Sequence, residues 1–316
     1  MPRFQWSFLL PKYWGTWATF LILWIVHWLP RRVVMKIGCW LGDQMRKRNK
    51  KRRHIVEVNL GLCFPDKTLL EREQMLIDHY RVFGATLIDM GTIWWASSKR
   101  LESIVKCSDT KRYLEIVQAN SVILVSPHIM GLEASGIAVS RLHPMVVTMK
   151  AQKNPLLTLK MHQSRTRFNG SRILMRDQGL RHLISGIRDG YVVCYLPDED
   201  FGDAKYTTFA PFFGVQTSTL TTLGRLCRLG RAKAVPCMTW LDIETGIYTF
   251  EFANPMENMP SSDEVEEARN MNAALEAMIT IAPEQYMWTF KWFKTRPNDE
   301  PSPYEAPLDF QRFEEP

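Results

Sequence analysis

A histidine followed five residues later by a carboxylate, His128 and Glu133 in Pro127-His128-Ile129-Met130-Gly131-Leu132-Glu133, is the arrangement in this 316-residue chain best suited to moving a proton. Imidazole can take a proton near neutral pH, and a carboxylate on its other nitrogen fixes the tautomer and steadies the imidazolium. In an unbroken α-helix such residues are turned about 140° apart and displaced about 7.5 Å along the axis, so they do not easily meet. Pro127 and Gly131 argue against an unbroken helix here. With His128 in a turn and Glu133 in the first turn of a following helix, the carboxylate can reach back to the ring. The same spacing also describes a histidine satisfied at a loop edge and a glutamate favoured by a helix dipole. Spacing alone leaves both readings open.

A basic group lies downstream: Lys153, Arg165, Arg167, Arg172 and Arg176. Guanidinium groups that converge on a pocket suit phosphates, although any single arginine more often lies on an exposed helix face. Lys153 and Asn154 precede one expected helix and Arg165 lies within it. Asp198, Glu199 and Asp200 follow an apolar run, where they either line the same rim or cap a turn. The chain has no G-x-S-x-G, no H-E-x-x-H and no G-x-x-x-x-G-K-[ST], so hydrolase, protease and ATPase readings recede. Its six cysteines are scattered without a C-x-x-C pair and read as reduced core thiols, neither a disulfide frame nor a zinc site. Neither a metal nor a cofactor is called for.

The elements that must hold these residues are read from periodicity. Short apolar runs at 121–126, 145–149, 173–175, 191–196 and 234–240 alternate with expected helices at 131–142, 155–168, 178–189 and 216–229. Residues 246–253 alternate like a strand wet on one face, and 263–281 read as a late helix. Strands buried on both faces and separated by helices predict an α/β fold with a mixed, largely parallel central sheet flanked by helices. His128 directly follows the most apolar run, where such sheets place reactive groups beyond the carboxyl ends of their strands. Residues 66–105 are helical in pattern, and a composition of 46% hydrophobic and 23% charged residues excludes global disorder.

The net charge of +7 is local. Residues 46–53 hold seven basic side chains, and without them 33 Lys and Arg face 33 Asp and Glu. This run follows an uncharged stretch from Tyr13 to Pro30, so an anionic membrane surface is favoured over nucleic acid as its partner. A helix through that stretch would be about 27 Å long, just enough to span a bilayer. Its tryptophans also suit a helix lying in the interface. The spanning reading gives one N-terminal anchor, and the basic residues on its C-terminal flank place the rest of the chain on the cytoplasmic side. The expected organisation is an anchor at 1–31, a basic helical layer at 32–105, a catalytic α/β domain at 106–296 and a loose tail at 297–316.

The ordered string of motifs resembles the late acyltransferases of lipid A biosynthesis over nearly the whole chain. It comprises Arg52-Arg53-His54-Ile55 through Asn59-Leu60 to Cys63-Phe64-Pro65, then His128 with Glu133, Lys153-Asn154-Pro155 and Arg165. Pro197-Asp198-Glu199-Asp200-Phe201-Gly202, Phe209-Ala210-Pro211-Phe212-Phe213-Gly214 and Ala282-Pro283-Glu284-Gln285-Tyr286-Met287-Trp288 follow, and Phe293-Lys294-Thr295-Arg296-Pro297 closes it. The resemblance implies a glycerolipid-acyltransferase-like fold and transfer of a fatty acyl chain from acyl carrier protein to a hydroxyl on an acyl chain of a lipid A precursor. It implies His128 as general base with Glu133 orienting it, and an essential Arg165. Lys153, Asn154, Arg176 and Asp198 are the further substrate-binding positions expected. Two other readings stand beside it: an acyltransferase using acyl-CoA on glycerol phosphate or another glycolipid, and a non-catalytic membrane-surface binding protein.

Overall fold

The computed structural model describes residues 3–175 and 179–305. After two short 3-10 turns (Trp6–Leu9 and Pro11–Tyr13) come five α-helices: α1 (Trp14–Val26), α2 (Arg31–Arg48), α3 (Lys50–Cys63), α4 (Leu69–Trp95) and α5 (Ser98–Ile104). The long α4 starts from a capping box in which the Thr68 side chain accepts from Glu71 N and the Glu71 carboxylate accepts from Thr68 N. Helix α2 lies on α4 with backbones touching. A Cβ on Gly42 would come within 1.9 Å of the Tyr80 carbonyl oxygen, and one on Gly84 within 2.2 Å of that of Gly38. Arg31 pairs with the fully buried Asp89 of α4 (Nη2–Oδ2 2.8 Å) and donates from Nε to the Gly246 carbonyl (3.1 Å), which ties the helical layer to the sheet.

The expected spanning anchor requires correction. Helix α1 has 13 residues, about 20 Å, against a hydrocarbon core of about 30 Å. Among the described residues no helix is long and apolar enough to cross a membrane. Pro30 disfavours helical backbone at Leu29, so the apolar stretch breaks before α2 begins. One face of α1 docks on α4, burying Phe20 and Leu23, with Phe20 edge-on to Trp94 at 5.8 Å. The opposite face leaves Trp14, Leu21, Ile22, Trp24 and Ile25 exposed, and Trp28 just past the helix is exposed too.

The chain then builds a sheet from β1 (Val105–Cys107), β2 (Ser121–Val125), β3 (Met145–Met149), β4 (Arg172–Met175), β5 (Val192–Tyr195), β8 (Ala232–Asp242) and β9 (Ile247–Phe252). Their spatial order is β1-β9-β8-β2-β5-β3-β4, and every pairing is parallel except β8 with β9. The mixed, largely parallel sheet is thus as the periodicity predicts. Helices α6 (Thr110–Ala119), α7 (Leu132–Leu142), α8 (Pro155–Arg165), α9 (Leu180–Arg188), α10 (Thr222–Gly230) and α11 (Glu264–Ile279) flank it. Along β2, Val122 and Leu124 join the core under α7 and α4, whereas Ile123 and Val125 join the core with α3, α10 and α11. Burial on both faces explains the unbroken apolar run.

Two expectations fail locally. The helix expected at 216–229 begins only at Thr222, because Val215–Leu220 is strand β7, paired antiparallel with β6 (Thr207–Phe212). Phe213 and Gly214 both have positive φ, the two-residue hairpin geometry that matches strand twist. The tail expected to be loose from 297 is docked at least to Tyr304. That buried ring donates from its hydroxyl to Asn59 Oδ1 (2.6 Å) and accepts from Phe293 N (3.0 Å).

Candidate active site

Strands β2 and β5 are parallel neighbours, with Val125 opposite Tyr195. Ser126 N extends the ladder to the Tyr195 carbonyl at 3.0 Å. Three residues beyond each strand lie His128 and Asp198, so equal advance from a shared register brings these two side chains together. His128 Nδ1 lies 2.6 Å from Asp198 Oδ1, and His128 N donates to Asp198 Oδ2 at 2.7 Å. Asp198 is only 3% exposed against 23% for His128. Since an ionised carboxylate only accepts, it holds the proton on Nδ1 and leaves the lone pair on Nε2.

A second support comes from the segment after α11. Met130 N donates to the Gln285 carbonyl and Met287 N to the His128 carbonyl, both at 3.0 Å. Between these contacts the Tyr286 hydroxyl donates to Asp198 Oδ2 at 2.9 Å. Burial, with the Asp198 charge beside it, pushes the Tyr286 phenol well above its ordinary range, so it remains a donor. Phe290 and Trp292 stand with ring centroids 5.9 Å from the imidazole. On the other side Gly131 backs onto β8, where a Cβ would lie 2.4 Å from the Thr239 carbonyl oxygen.

Glu133 is in the first turn of α7, as the spacing argument expects, but its carboxylate is engaged elsewhere. It accepts from Arg165, the last residue of α8, through Nε at 3.0 Å and also through Nη2. The observed pairing with Arg165 thus differs from the expected orienting contact from Glu133 to His128. The carboxylate hydrogen-bonded to the ring is Asp198, which the sequence motifs place among the substrate-binding positions. The physical reason is reach: the strand-end register delivers Asp198 directly to Nδ1, while α8 delivers a guanidinium to Glu133. Burial alone would lower the Arg165 pKa, but the charge and hydrogen bonds of Glu133 outweigh it, and the cation is retained.

The other expected site residues divide. Asn154 caps α8, accepting from Leu156 N at 3.0 Å, and donates to Thr16 Oγ1 of α1 at 2.6 Å. It holds α8 in place and does not line the cavity at His128; neither does the exposed Lys153. Arg176 lies outside the described residues. Tyr286 escaped residue-level reading because it lies in an aromatic run with no local sign that it would cross to Asp198.

His128, Glu133 and Arg165 line one cavity of about 470 Å³, together with residues of β2, β3, β4 and β5. Its wall is mixed: Leu132, Val139, Met145, Met161, Leu174 and Leu183 supply an apolar part, and Ser135, Thr148, Lys150, Gln152, Glu199 and Thr222 line it as well. A histidine on the wall of a partly apolar slot is placed where it could take a proton from a hydroxyl beside a hydrocarbon chain.

Comparison with known proteins gives a consistent picture. The profile of the family described as bacterial lipid A biosynthesis acyltransferase matches residues 1–295. A lipid A biosynthesis acyltransferase of Haemophilus influenzae is 34% identical, over 94% of this chain and 93% of the relative. The lipid A biosynthesis lauroyltransferase of Escherichia coli K12 is 32% identical, over 96% of this chain and 99% of its own length. The palmitoleoyltransferase of the same organism is 33% identical, over 96% and 98%.

Proposed function

The chain belongs to the bacterial lipid A biosynthesis acyltransferase family, and from that premise we propose that it moves a fatty acyl group from acyl carrier protein to a hydroxyl on an acyl chain of a lipid A precursor. The observation that carries the chemistry is His128, held by Asp198 at 2.6 Å, on the wall of a partly apolar cavity. His128 Nε2 takes the proton from the acceptor hydroxyl as its oxygen attacks the thioester carbonyl. Asp198 stabilises the imidazolium that forms. The tetrahedral adduct then collapses, the C–S bond breaks, and the imidazolium returns its proton to the departing thiolate. No acyl-enzyme is required. The Glu133–Arg165 pair acts as a polar clamp on the substrate beside the base, and the cavity takes the acyl chain at about 0.8 kcal/mol per buried CH2.

The reaction is assigned to the cytoplasmic face of the inner membrane, held there by the exposed aromatic face of α1 and the basic run at 46–53. Aromatic side chains suit the lipid–water boundary, and cations suit its anionic headgroups.

The test is acyl transfer by the purified chain from an acyl carrier protein thioester to a lipid A precursor, read by mass spectrometry. His128→Ala is expected to abolish the acyl increment while leaving the far-UV spectrum and thermal transition unchanged. Undiminished transfer by a folded His128→Ala protein would remove His128 as the base. Absence of transfer by the unaltered chain, with a different thioester donor restoring it, would remove the carrier protein as donor.

A further inference from the structure

A second cavity, of about 790 Å³, opens between the helical layer and the segment that braces His128. Gln44, Arg48, Lys51, Arg52, Tyr80 and Phe290 are among its walls. Its charge follows from the local fold. Helix α2 ends on Arg46-Lys47-Arg48, where cations favour the negative end of the dipole. After Asn49, whose side chain caps Arg52 N at 3.1 Å, α3 opens with Lys50-Lys51-Arg52-Arg53 and no acidic residue in its first turn. Cations on the positive end of a helix repel the dipole, and an anion seated there relieves both.

Two further observations point to an occupant. Tyr80 is 1% exposed, and its hydroxyl is buried with no hydrogen-bond partner among the described residues. An unpaired buried donor costs about 1–3 kcal/mol unless something accepts from it. Burial and Glu57 push this phenol up to about 12 against the pull of Arg52, Arg53 and Arg46, so it keeps its proton. The cavity also adjoins the reaction centre, because Arg52 Nη1 donates to the Thr289 carbonyl at 2.8 Å and the next ring, Phe290, stands 5.9 Å from His128. One turn before Gln44, on the same face of α2, Trp40 is 63% exposed. The cavity therefore lies between the exposed Trp40 and the ring that stands beside His128.

We propose that this cavity is a phosphate subsite for the acceptor glycolipid, with Arg48 and Lys51 as its charged contacts and the Tyr80 hydroxyl as its buried donor. The assignment rests on the acyl-transfer reading for the identity of the lipid, though the subsite can be tested without turnover. A docked carrier protein is disfavoured, since an acidic protein surface would meet the rim cations and leave the Tyr80 hydroxyl unanswered.

The test uses the full chain in neutral detergent micelles. Binding of a phosphorylated glucosamine-disaccharide lipid is compared by thermophoresis with binding of its dephosphorylated counterpart, and with inorganic phosphate and phosphatidylglycerol as competitors. The unaltered chain is expected to prefer the phosphorylated lipid at least tenfold. The double variant Arg48→Gln, Lys51→Gln should lose most of that preference, and Tyr80→Phe about threefold of it. In turnover the loss should fall on KM for the acceptor and not on KM for the acyl donor. Equal affinity for the two lipids, or equal competition by phosphatidylglycerol or inorganic phosphate, overturns the subsite. A rise confined to KM for the donor overturns it in favour of carrier docking. Retained phosphate preference without acyl transfer leaves the subsite standing and removes the acyl-transfer reading instead.

Discussion

The loop after β5 and the start of α7 each bring a carboxylate to the same cavity, and they do so by different routes. Asp198 arrives from 70 residues away in sequence, is nearly sealed from solvent, and receives His128 N, the imidazole and the Tyr286 hydroxyl. Glu133 is five residues from His128, yet its geometry is set by Arg165 at the end of α8. Nearness along the chain thus predicts contact less well than equal advance along adjacent parallel strands. The β5 side is fixed before any substrate enters. The α7 side is a charged pair that lines the slot.

The sharpest way to break this contrast is Asp198→Asn. His128 N and the Tyr286 hydroxyl both donate to Oδ2, so the amide oxygen of asparagine is drawn there and its NH2 is turned toward Nδ1. That forces the proton onto Nε2, the wrong tautomer for a base. A fall in kcat of about 1,000- to 10,000-fold is expected, with the fold intact by circular dichroism. Near-normal kcat would return the orienting role to Glu133.

A smaller loss is expected from Glu133→Gln, which keeps an acceptor for Arg165 but removes the charge that balances a buried cation. Activity should drop about 10- to 100-fold, the worth of one hydrogen bond to a charged group, shared between kcat and KM. If Glu133→Gln costs more than Asp198→Asn in the same assay, the two roles are reversed.

The third prediction concerns the brace over Asp198. His79 of α4 is fully buried and hydrogen-bonded through Nδ1 with the Glu284 carbonyl (3.0 Å), beside Tyr286. Burial holds its pKa down at about 4, below the ordinary histidine value. As pH falls through about 6.5 the unfolded chain gains the proton first, so stability declines until about pH 4 and then levels. Between pH 7 and pH 5 this amounts to about 2 kcal/mol. Urea unfolding at the two pH values should show that loss, and His79→Gln should remove most of it. An unchanged pH slope in the variant would mean that other groups carry the acid sensitivity.

Much of the architecture was legible residue by residue. The runs that became β2 and β5 announced themselves because both faces of each are buried, and β3 did so although Thr148 is exposed. The α7 start was marked by Pro127 and Gly131. The β6–β7 hairpin was not legible, since Val215-Gln216-Thr217-Ser218-Thr219-Leu220 reads as part of a helix until the turn at Phe213-Gly214 pairs it. The N-terminal apolar stretch suggested a span by length, but docking of Phe20 and Leu23 on α4 and the break before Pro30 gave a short helix with one bare face.

By itself the sequence determined that a histidine would stand at the carboxyl end of a central strand, because local apolarity and the Pro-His turn are properties of a few neighbouring residues. It also carried the string of motifs that marks the family. Only the tertiary structure decided which carboxylate meets that histidine. Strand order in a parallel sheet is chosen by packing between distant segments, and that order, not the five-residue spacing, sets Asp198 against the ring.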